Sequence, residues 1–343
     1  MAVNLVGAIL GFVLSAWLTW RFCDPASRFH ILDHPNERSL HVRSTPRSGG
    51  LAILIAIIVS VATVSLFHPL HDLTAITTSV LIVAGVSFLD DHYSISPGYR
   101  IIAHALAAAV ILYGGFYLQK LEVFGVSWQW SYAMGIVVSV LYTVWMINLY
   151  NFMDGMDGFA GGMAVSGFAV FAVLGWMAGH DAFFIISLIV AASSAGFLVF
   201  NFPPARIFMG DVGSSTLGLL AATLSLWGAR DGIFPFWIAV LVFSPFIVDA
   251  TLTLLRRLMR REKLWHAHKT HYYQKLVQAG WGHRKTVLLE YAIMLGCAIT
   301  ALWGVHAPNE MQAVLLAGWA LFYFVFFVWV SRFAARHYKS GTL

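Results

Sequence analysis

Between two long apolar runs the chain reads Asn148-Leu-Tyr-Asn151-Phe-Met-Asp154-Gly-Met-Asp157-Gly, followed by Phe-Ala-Gly-Gly. At this spacing Asp154 and Asp157 would share one face of a helical turn, and Gly155 and Gly158 would let a ligand approach the backbone. Carboxylates at a membrane boundary are costly unless something charged or polar meets them. One Asp before an apolar run could simply cap the next helix. Four polar groups in register exceed what a cap requires.

Four further clusters could carry chemistry. The pair Asp90-Asp91 ends an apolar run, and adjacent carboxylates repel unless a cation lies near, which suits a divalent metal or a general base. Phe208-Met-Gly-Asp211-Val-Gly-Ser-Ser places Asp211 at the start of another apolar run, among backbone N–H groups at a positive helix end. That turn reads as a phosphate-and-metal turn more than a connector. The segment from Asp33 to Gly50 holds Arg38, Arg43 and Arg47 with Pro46 and a Gly pair, the makings of an ordered anion-binding loop. A basic loop also fixes topology, and the two roles are compatible. Finally, Trp265-His266-Ala-His268-Lys-Thr-His271-Tyr-Tyr-Gln274 invites a zinc reading. No cysteine lies near, so contact with a diphosphate or sugar is the better reading, with Lys269 and Lys275 adding positive potential.

The elements that must position these groups are membrane helices. The chain has 343 residues, 59% hydrophobic and only 11% charged, and a mean hydropathy of +0.76. A soluble domain of this length would need far more polar surface. Apolar runs of spanning length lie near 3–22, 50–67, 74–89, 101–117, 132–147, 162–179, 182–200, 214–229, 232–255, 286–306 and 312–332. The fold expected is an all-α polytopic membrane protein of about eleven transmembrane helices, a single domain over 1–343. All Lys and Arg except Lys120 and Arg230 fall on one side of this arrangement, concentrated in the basic loops 23–49 and 256–285. The positive-inside rule makes that side the cytoplasm, with the N-terminus periplasmic and the C-terminus cytoplasmic. The N-terminus lacks a basic n-region and a small-residue cleavage site and reads as a retained first span. Cys23 and Cys297 fall in a loop and a span and imply no disulfide framework.

Within the last third, Pro245 should kink its span, and Asp249 stands about two turns before Arg256, a partner for it inside the bundle. The basic segment that follows reads as an interfacial helix on anionic lipid, or as a holder of a lipid phosphate. On the opposite side, 118–131 reads as a short hairpin and His180-Asp181 as a tight turn. The acids and histidines thus collect at cytoplasmic helix ends. A transporter or lipid flippase would more typically place them near the midplane, on broken helices. The arrangement favours an enzyme working on a cytoplasmic substrate at the membrane surface.

Taken together, these motifs resemble the polyprenyl-phosphate N-acetylhexosamine-1-phosphate transferases, the MraY/WecA-type superfamily of glycosyltransferase family 4. The resemblance rests on the Asp33-to-Gly50 loop, Asp90-Asp91, Asn148-x-x-Asn151-x-x-Asp154-Gly-x-Asp157-Gly, Phe208-Met-Gly-Asp211-x-Gly-Ser and the His loop, in that order along nearly the whole chain. It implies transfer of a sugar 1-phosphate from a UDP-N-acetylhexosamine to undecaprenyl phosphate, with release of UMP, in the bacterial inner membrane. Magnesium is the implied ion, manganese its alternative, with Asp211 and Asn151 as ligands. Asp90 and Asp91 would lie beside the lipid phosphate as base or electrostatic positioner. Asp154 and Asp157 would bind the uridine end or support the metal shell, Asn148 would serve the nucleotide-sugar, Phe208 would stack on uracil, and Arg43, His266, His268 and His271 would engage phosphates and sugar. Relatives imply a homodimer, and nothing implies a nucleic-acid partner. The sequence departs from some relatives in following the Asp pair with His92, Tyr93 and Ser94, so no third group is assigned there. The spacing His266-x-His268-x-x-His271 is closer to the transferases that initiate O-antigen or other surface polysaccharides than to the branch making the peptidoglycan precursor, phospho-MurNAc-pentapeptide transferase.

Overall fold

The computed structural model describes residues 2–33, 40, 44–68, 70, 73–93, 95–263 and 268–339. Arg43 and His266 lie outside the described residues. The helices are α1 (Ala2–Phe22), α2 (Gly49–Ser65), α3 (Leu73–Tyr93), α4 (Pro97–Tyr113), α5 (Tyr132–Met153), α6 (Phe159–Met177), α7 (Asp181–Asn201), α8 (Gly210–Arg230), α9 (Phe236–Val242), α10 (Ser244–Met259), α11 (Tyr272–Leu276), α12 (Gly282–Gly304) and α13 (Asn309–Lys339). Each expected apolar run falls on one of these helices or on the α9–α10 pair. Among the described residues, eight helices are long and apolar enough to cross a membrane, nine if the bent α9–α10 pair counts as one. The helices α2 and α4 are apolar but only 17 residues long, short of the ~20 of a full span.

Two small antiparallel pairs complete the chain. Strands β1 (Leu32–Asp33) and β2 (Thr45–Pro46) close the ends of the first basic loop, with Asp33 opposite Thr45. Strands β3 (Lys120–Val123) and β4 (Val126–Gln129) form the expected hairpin at the other end of the bundle.

The helix α8 is the axis of the fold. Every residue from Val212 to Gly228 is buried, as a helix apolar or small on all sides must be. It packs against α2, α3, α5 and α6. Small residues set these distances, as is usual where lipid supplies no hydrophobic drive between helices. A Cβ on Gly50 would lie 2.2 Å from the Cα of Gly213, so the start of α2 touches the start of α8. At Gly218 a Cβ would meet the Met146 carbonyl at 2.6 Å, which brings α5 equally close. The turn that carries Arg47 into α2 and the start of α8 that carries Asp211 are thereby fixed against each other.

The span carrying Pro245 is broken as expected: α9 and α10 meet at 79°, with Pro245 in the first turn of α10, where its missing N–H costs nothing. The bend turns the end of α10 toward α11 and α12.

Candidate active site

At one end of the bundle a cavity of about 240 Å³ opens between the β1–β2 loop, the α5–α6 break, the start of α8 and α11. Its wall is acidic: Asp33, Asp91, Asp154, Asp157 and Asp211 line it, against Arg47 and His283.

The α8 wall is built from the turn that precedes it. Phe208 N–H donates to the Pro46 carbonyl at 2.7 Å, and Gly49 and Gly50 N–H donate to the Phe208 and Met209 carbonyls at 3.0 and 2.7 Å. Gly210 has φ +75°, and a Cβ there would lie 2.2 Å from the Arg47 carbonyl. Only glycine fits such a site. Asp211 then occupies the first turn of α8. Its Oδ1 accepts from Asn151 Nδ2 at 2.8 Å, and the same Nδ2 donates to Ser214 Oγ at 3.0 Å. Its Oδ2 lies 3.3 Å from Arg100 Nη1.

The two carboxylates of the Asp pair point to different places. Asp91 lines the cavity and faces the backbone N–H groups of Asp211 and Val212. Arg47 Nε lies 3.7 Å from its Oδ1, and the same guanidinium donates to the Asp91 carbonyl. Asp90 does not line the cavity. Its Oδ2 is 2.6 Å from Arg100 Nη1 and its Oδ1 accepts from Ile95 N–H at 2.7 Å. One Arg100 nitrogen thus bridges Asp90, 10 positions before it, and Asp211, 111 positions after it. The sequence reading counted Arg100 only as a topological charge. The signal for it was a lone cation ten positions after an acidic pair, which no local pattern distinguishes from a loop arginine.

Asp154 and Asp157 both line the cavity, but they do not share a helical face. The helix α5 ends at Met153, Asp154 has φ −83° and ψ 41°, and α6 starts only after Gly158 at φ +74°. Non-local partners hold the break open. Asp157 Oδ2 accepts from Ala205 N–H at 2.9 Å, and His283 Nδ1 lies 2.9 Å from its Oδ1. Tyr291 Oη donates to the Gly158 carbonyl at 2.7 Å, and Gly158 N–H donates to Asn201 Oδ1 at 2.9 Å. Burial, with the carboxylates of Asp211 and Asp91 nearby, holds the Asp154 carboxyl well above the usual carboxylate range. An acidic wall of this kind calls for a cation.

Asn148 is elsewhere. One turn before Asn151 on α5, its Nδ2 donates to the Val144 carbonyl at 2.7 Å and lies 3.3 Å from His104 Nδ1. It does not line the cavity.

The His loop reaches the site indirectly. Asp249 is buried and its expected partner, Arg256, is not the one it has. Its carboxylate lies 3.0 Å from His271 Nδ1 and accepts from Thr253 Oγ1 and from the backbone N–H of Tyr272 and Tyr273, each at 3.1 Å. Arg256 instead lies over the Tyr272 ring, 5.0 Å from its centroid. Asp249 therefore caps α11 from a different helix, satisfying N–H groups that a helix start leaves open. His271 N–H donates in turn to Gln274 Oε1 at 3.2 Å, and Tyr273 Oη donates to the Phe152 carbonyl at 3.3 Å, beside the α5–α6 break. His271 is 2% exposed and does not line the cavity. His268 stacks on His271 with ring centroids 4.9 Å apart and also stays out of the cavity lining. Burial first, then the charges of His271 and Arg257, push its imidazole down to about 4. The residues of this end that do line the cavity are Gln274 and His283. Neither was among the site residues expected from sequence, because each depends on how α11 and α12 dock.

Among the described residues no three His, Cys, Asp or Glu side chains converge as a metal-ligand set. What the cavity offers is Asp211 and Asn151 side by side at a helix start, with further carboxylates facing them. Hard oxygen donors in small number suit an ion that keeps waters and takes oxygens from a diphosphate.

Residues 73–229, which contain Asp90 to Asp211, match glycosyl transferase family 4. Over 312 residues the chain is 32% identical to a probable undecaprenyl-phosphate N-acetylglucosaminyl 1-phosphate transferase of Bacillus subtilis, covering 87% of this chain and 85% of that relative. The chain belongs to glycosyl transferase family 4. The motif resemblance to the polyprenyl-phosphate N-acetylhexosamine-1-phosphate transferases is thereby confirmed. This family 4 chain is also 30% identical, over 91% of its length and 84% of the relative, to a decaprenyl-phosphate N-acetylglucosaminephosphotransferase of Mycolicibacterium smegmatis. It is 27% identical, over 76% of its length and 86% of the relative, to a phospho-N-acetylmuramoyl-pentapeptide-transferase of Staphylococcus epidermidis. With its many apolar helices, this family 4 protein is a multi-pass protein of the bacterial inner membrane.

Proposed function

We propose that the chain transfers N-acetylglucosamine 1-phosphate, or a closely related N-acetylhexosamine 1-phosphate, from its UDP-sugar to undecaprenyl phosphate. The products would be UMP and a polyprenyl-diphosphate-linked sugar that initiates O-antigen or another surface polysaccharide. The observation that carries this reading is the acidic cavity, in which Asp91, Asp154 and Asp211 from three helix ends face one space beside Arg47. The names of the Bacillus and Mycolicibacterium relatives favour N-acetylglucosamine as the sugar. The topology proposed with it has eleven spans, a periplasmic N-terminus and this cavity at the cytoplasmic face.

In this reaction an oxygen of the lipid phosphate attacks the β-phosphorus of the UDP-sugar. The new P–O bond forms as the bond to the bridging oxygen breaks, and that oxygen leaves with UMP. Magnesium, held by Asp211 and Asn151, would neutralise charge on the diphosphate. Asp91 lines the cavity with Arg47 alongside, so it is the member of the Asp pair placed to keep the lipid phosphate unprotonated. Asp90 acts through Arg100, holding it where it meets Asp211. Arg47 would pair with a phosphate oxygen as well as with Asp91. Phe208 in the cavity wall would stack on uracil. His268 and His271 would position α11 and so Gln274, rather than touch substrate.

Two other readings give different products. A peptidoglycan-precursor transferase, favoured by the Staphylococcus relative, would release UMP from UDP-MurNAc-pentapeptide. A flippase would move lipid without chemistry, yet the acids cluster at one end and do not line a path. The test is UMP release by purified protein with magnesium and undecaprenyl phosphate, offered UDP-N-acetylglucosamine, UDP-N-acetylfucosamine or UDP-MurNAc-pentapeptide separately. Turnover with either of the first two supports the proposal and names the sugar. Turnover with the pentapeptide alone, or none with folded protein, overturns it.

A further inference from the structure

A second polar groove, outside the acidic cavity, runs between the end of α10, the approach to α11 and the last turns of α13. Arg256, Arg260, Lys269 and Lys275 line it, with Ser331 and Ala334 on the α13 side and no carboxylate. None of the four cations makes an ion pair among the described residues. The one carboxylate of this segment, Glu262, pairs with Arg257 at 2.8 Å and is not part of the groove.

Beneath the lining lies Tyr272, 1% exposed. Arg256 and Lys275 lie over its ring, at 5.0 and 4.3 Å from the centroid. Its hydroxyl lies near Ser331 and Arg256, yet Tyr272 Oη and Ser331 Oγ are both buried with no partner of hydrogen-bonding geometry. Buried hydroxyls are rarely left so. Four like charges from two stretches of chain, with no carboxylate in the lining, make a receptor for an anion with several oxygens.

The depth of the groove indicates which anion. It lies at the last turn of α10, where Leu255, Leu258 and Met259 are 48%, 57% and 83% exposed. Apolar side chains that open at a span end belong in the interfacial layer. A basic cluster there attracts anionic lipid.

We propose that this groove binds the phosphate headgroup of an anionic membrane phospholipid, seated on Tyr272 between α10 and α13. The site goes beyond the transfer reaction and does not depend on it. Its consequence for the cavity runs through α11: the headgroup contacts the outer side of the helix whose Gln274 lines the cavity on the other side. Anionic lipid therefore braces α11 in its docked position.

The test is native mass spectrometry of the full chain with phosphatidylglycerol, phosphatidylcholine, undecaprenyl phosphate or inorganic phosphate. Phosphatidylglycerol should be retained in preference to phosphatidylcholine, and R260A/K275A should lower that retention several-fold. Because Lys275 packs on Tyr272, R260A/K269A serves as a second variant, with an unchanged thermal unfolding midpoint showing that the fold is intact. Phosphatidylglycerol retained equally by folded R260A/K269A and by wild type would overturn the proposal. So would displacement by equimolar undecaprenyl phosphate, which would make the groove part of the carrier site, or by inorganic phosphate alone, which would make it a free-phosphate site. These outcomes are read without turnover, so failure of the transferase reading would leave them unaffected.

Discussion

His271 Nδ1 lies 3.0 Å from Asp249 Oδ1, with both side chains sealed from solvent. His271, one of the histidines expected to engage substrate, is committed to holding α11, and through α11 the cavity residue Gln274. Removing one partner of such a buried pair leaves the other uncompensated, at a cost of roughly 3 kcal/mol. Asp249→Asn would also turn an amide N–H₂ toward one of the two N–H groups, of Tyr272 or of Tyr273, that the carboxylate accepts from. The variant should unfold at a lower temperature and bind the UDP-sugar several-fold more weakly, as read by thermal scanning and KM. Unchanged values for both would show that α11 docks without Asp249.

Arg100 should matter as much as the residues the motifs announce. With Arg100→Ala, Asp90 and Asp211 lose their shared cation, and turnover should fall about a hundredfold, in the range seen when one fixed electrostatic group is removed. Arg100→Lys keeps the charge but not the forked geometry, so it should restore turnover only partly. Steady-state rates of the two variants beside wild type decide this. Wild-type turnover in Arg100→Ala would return the residue to a topological role.

Much of this was legible in the sequence, and the exceptions have a common cause. Each expected apolar run falls on a helix, because hydropathy over 20 residues is a local property. Asp91, Asn151, Asp154, Asp157, Phe208 and Asp211 meet in one cavity, because they sit at helix ends on the same side of an alternating bundle. The break between α5 and α6 was misread as a helical turn. Spacing of three suggests a turn, whereas Asp157 is satisfied by Ala205 and His283 from distant segments. Arg100, Gln274 and His283 were missed for the same reason: their positions follow from tertiary docking. Asp249 was read against Arg256, close in sequence, but it pairs across 22 positions with His271.

Gly210 is the tightest backbone position of the site. A methyl group there would press on the Arg47 carbonyl at 2.2 Å while the backbone stays at φ +75°. Gly210→Ala should therefore destabilise the protein by at least about 1 kcal/mol and displace Asp211. Thermal unfolding with a parallel activity assay checks this, and wild-type values in both would contradict the packing described.

His268 gives a pH dependence with a definite sign. In the folded chain its imidazole titrates at about 4, below the ordinary 6.5. Between these values the unfolded chain binds a proton that the folded chain does not, so stability falls as pH drops through that window and is fully present above it. Asp249, Glu262, Arg257 and His271 face the ring and shape the shift. His268→Gln should flatten the fall in unfolding temperature between pH 6.5 and 4. An equally steep fall in the variant would assign the effect to other groups.

Phosphotransfer is expected at the start of α8, around Asp211. Its most direct test is UMP release from UDP-N-acetylglucosamine and undecaprenyl phosphate, titrated with magnesium, in wild type and Asp211→Asn. The substitution is nearly isosteric and removes a formal charge while leaving the Asn151 and Arg100 side chains in place. The variant should stay folded and lose magnesium-dependent release at every concentration. Full release by Asp211→Asn, with the wild-type magnesium dependence, would contradict it.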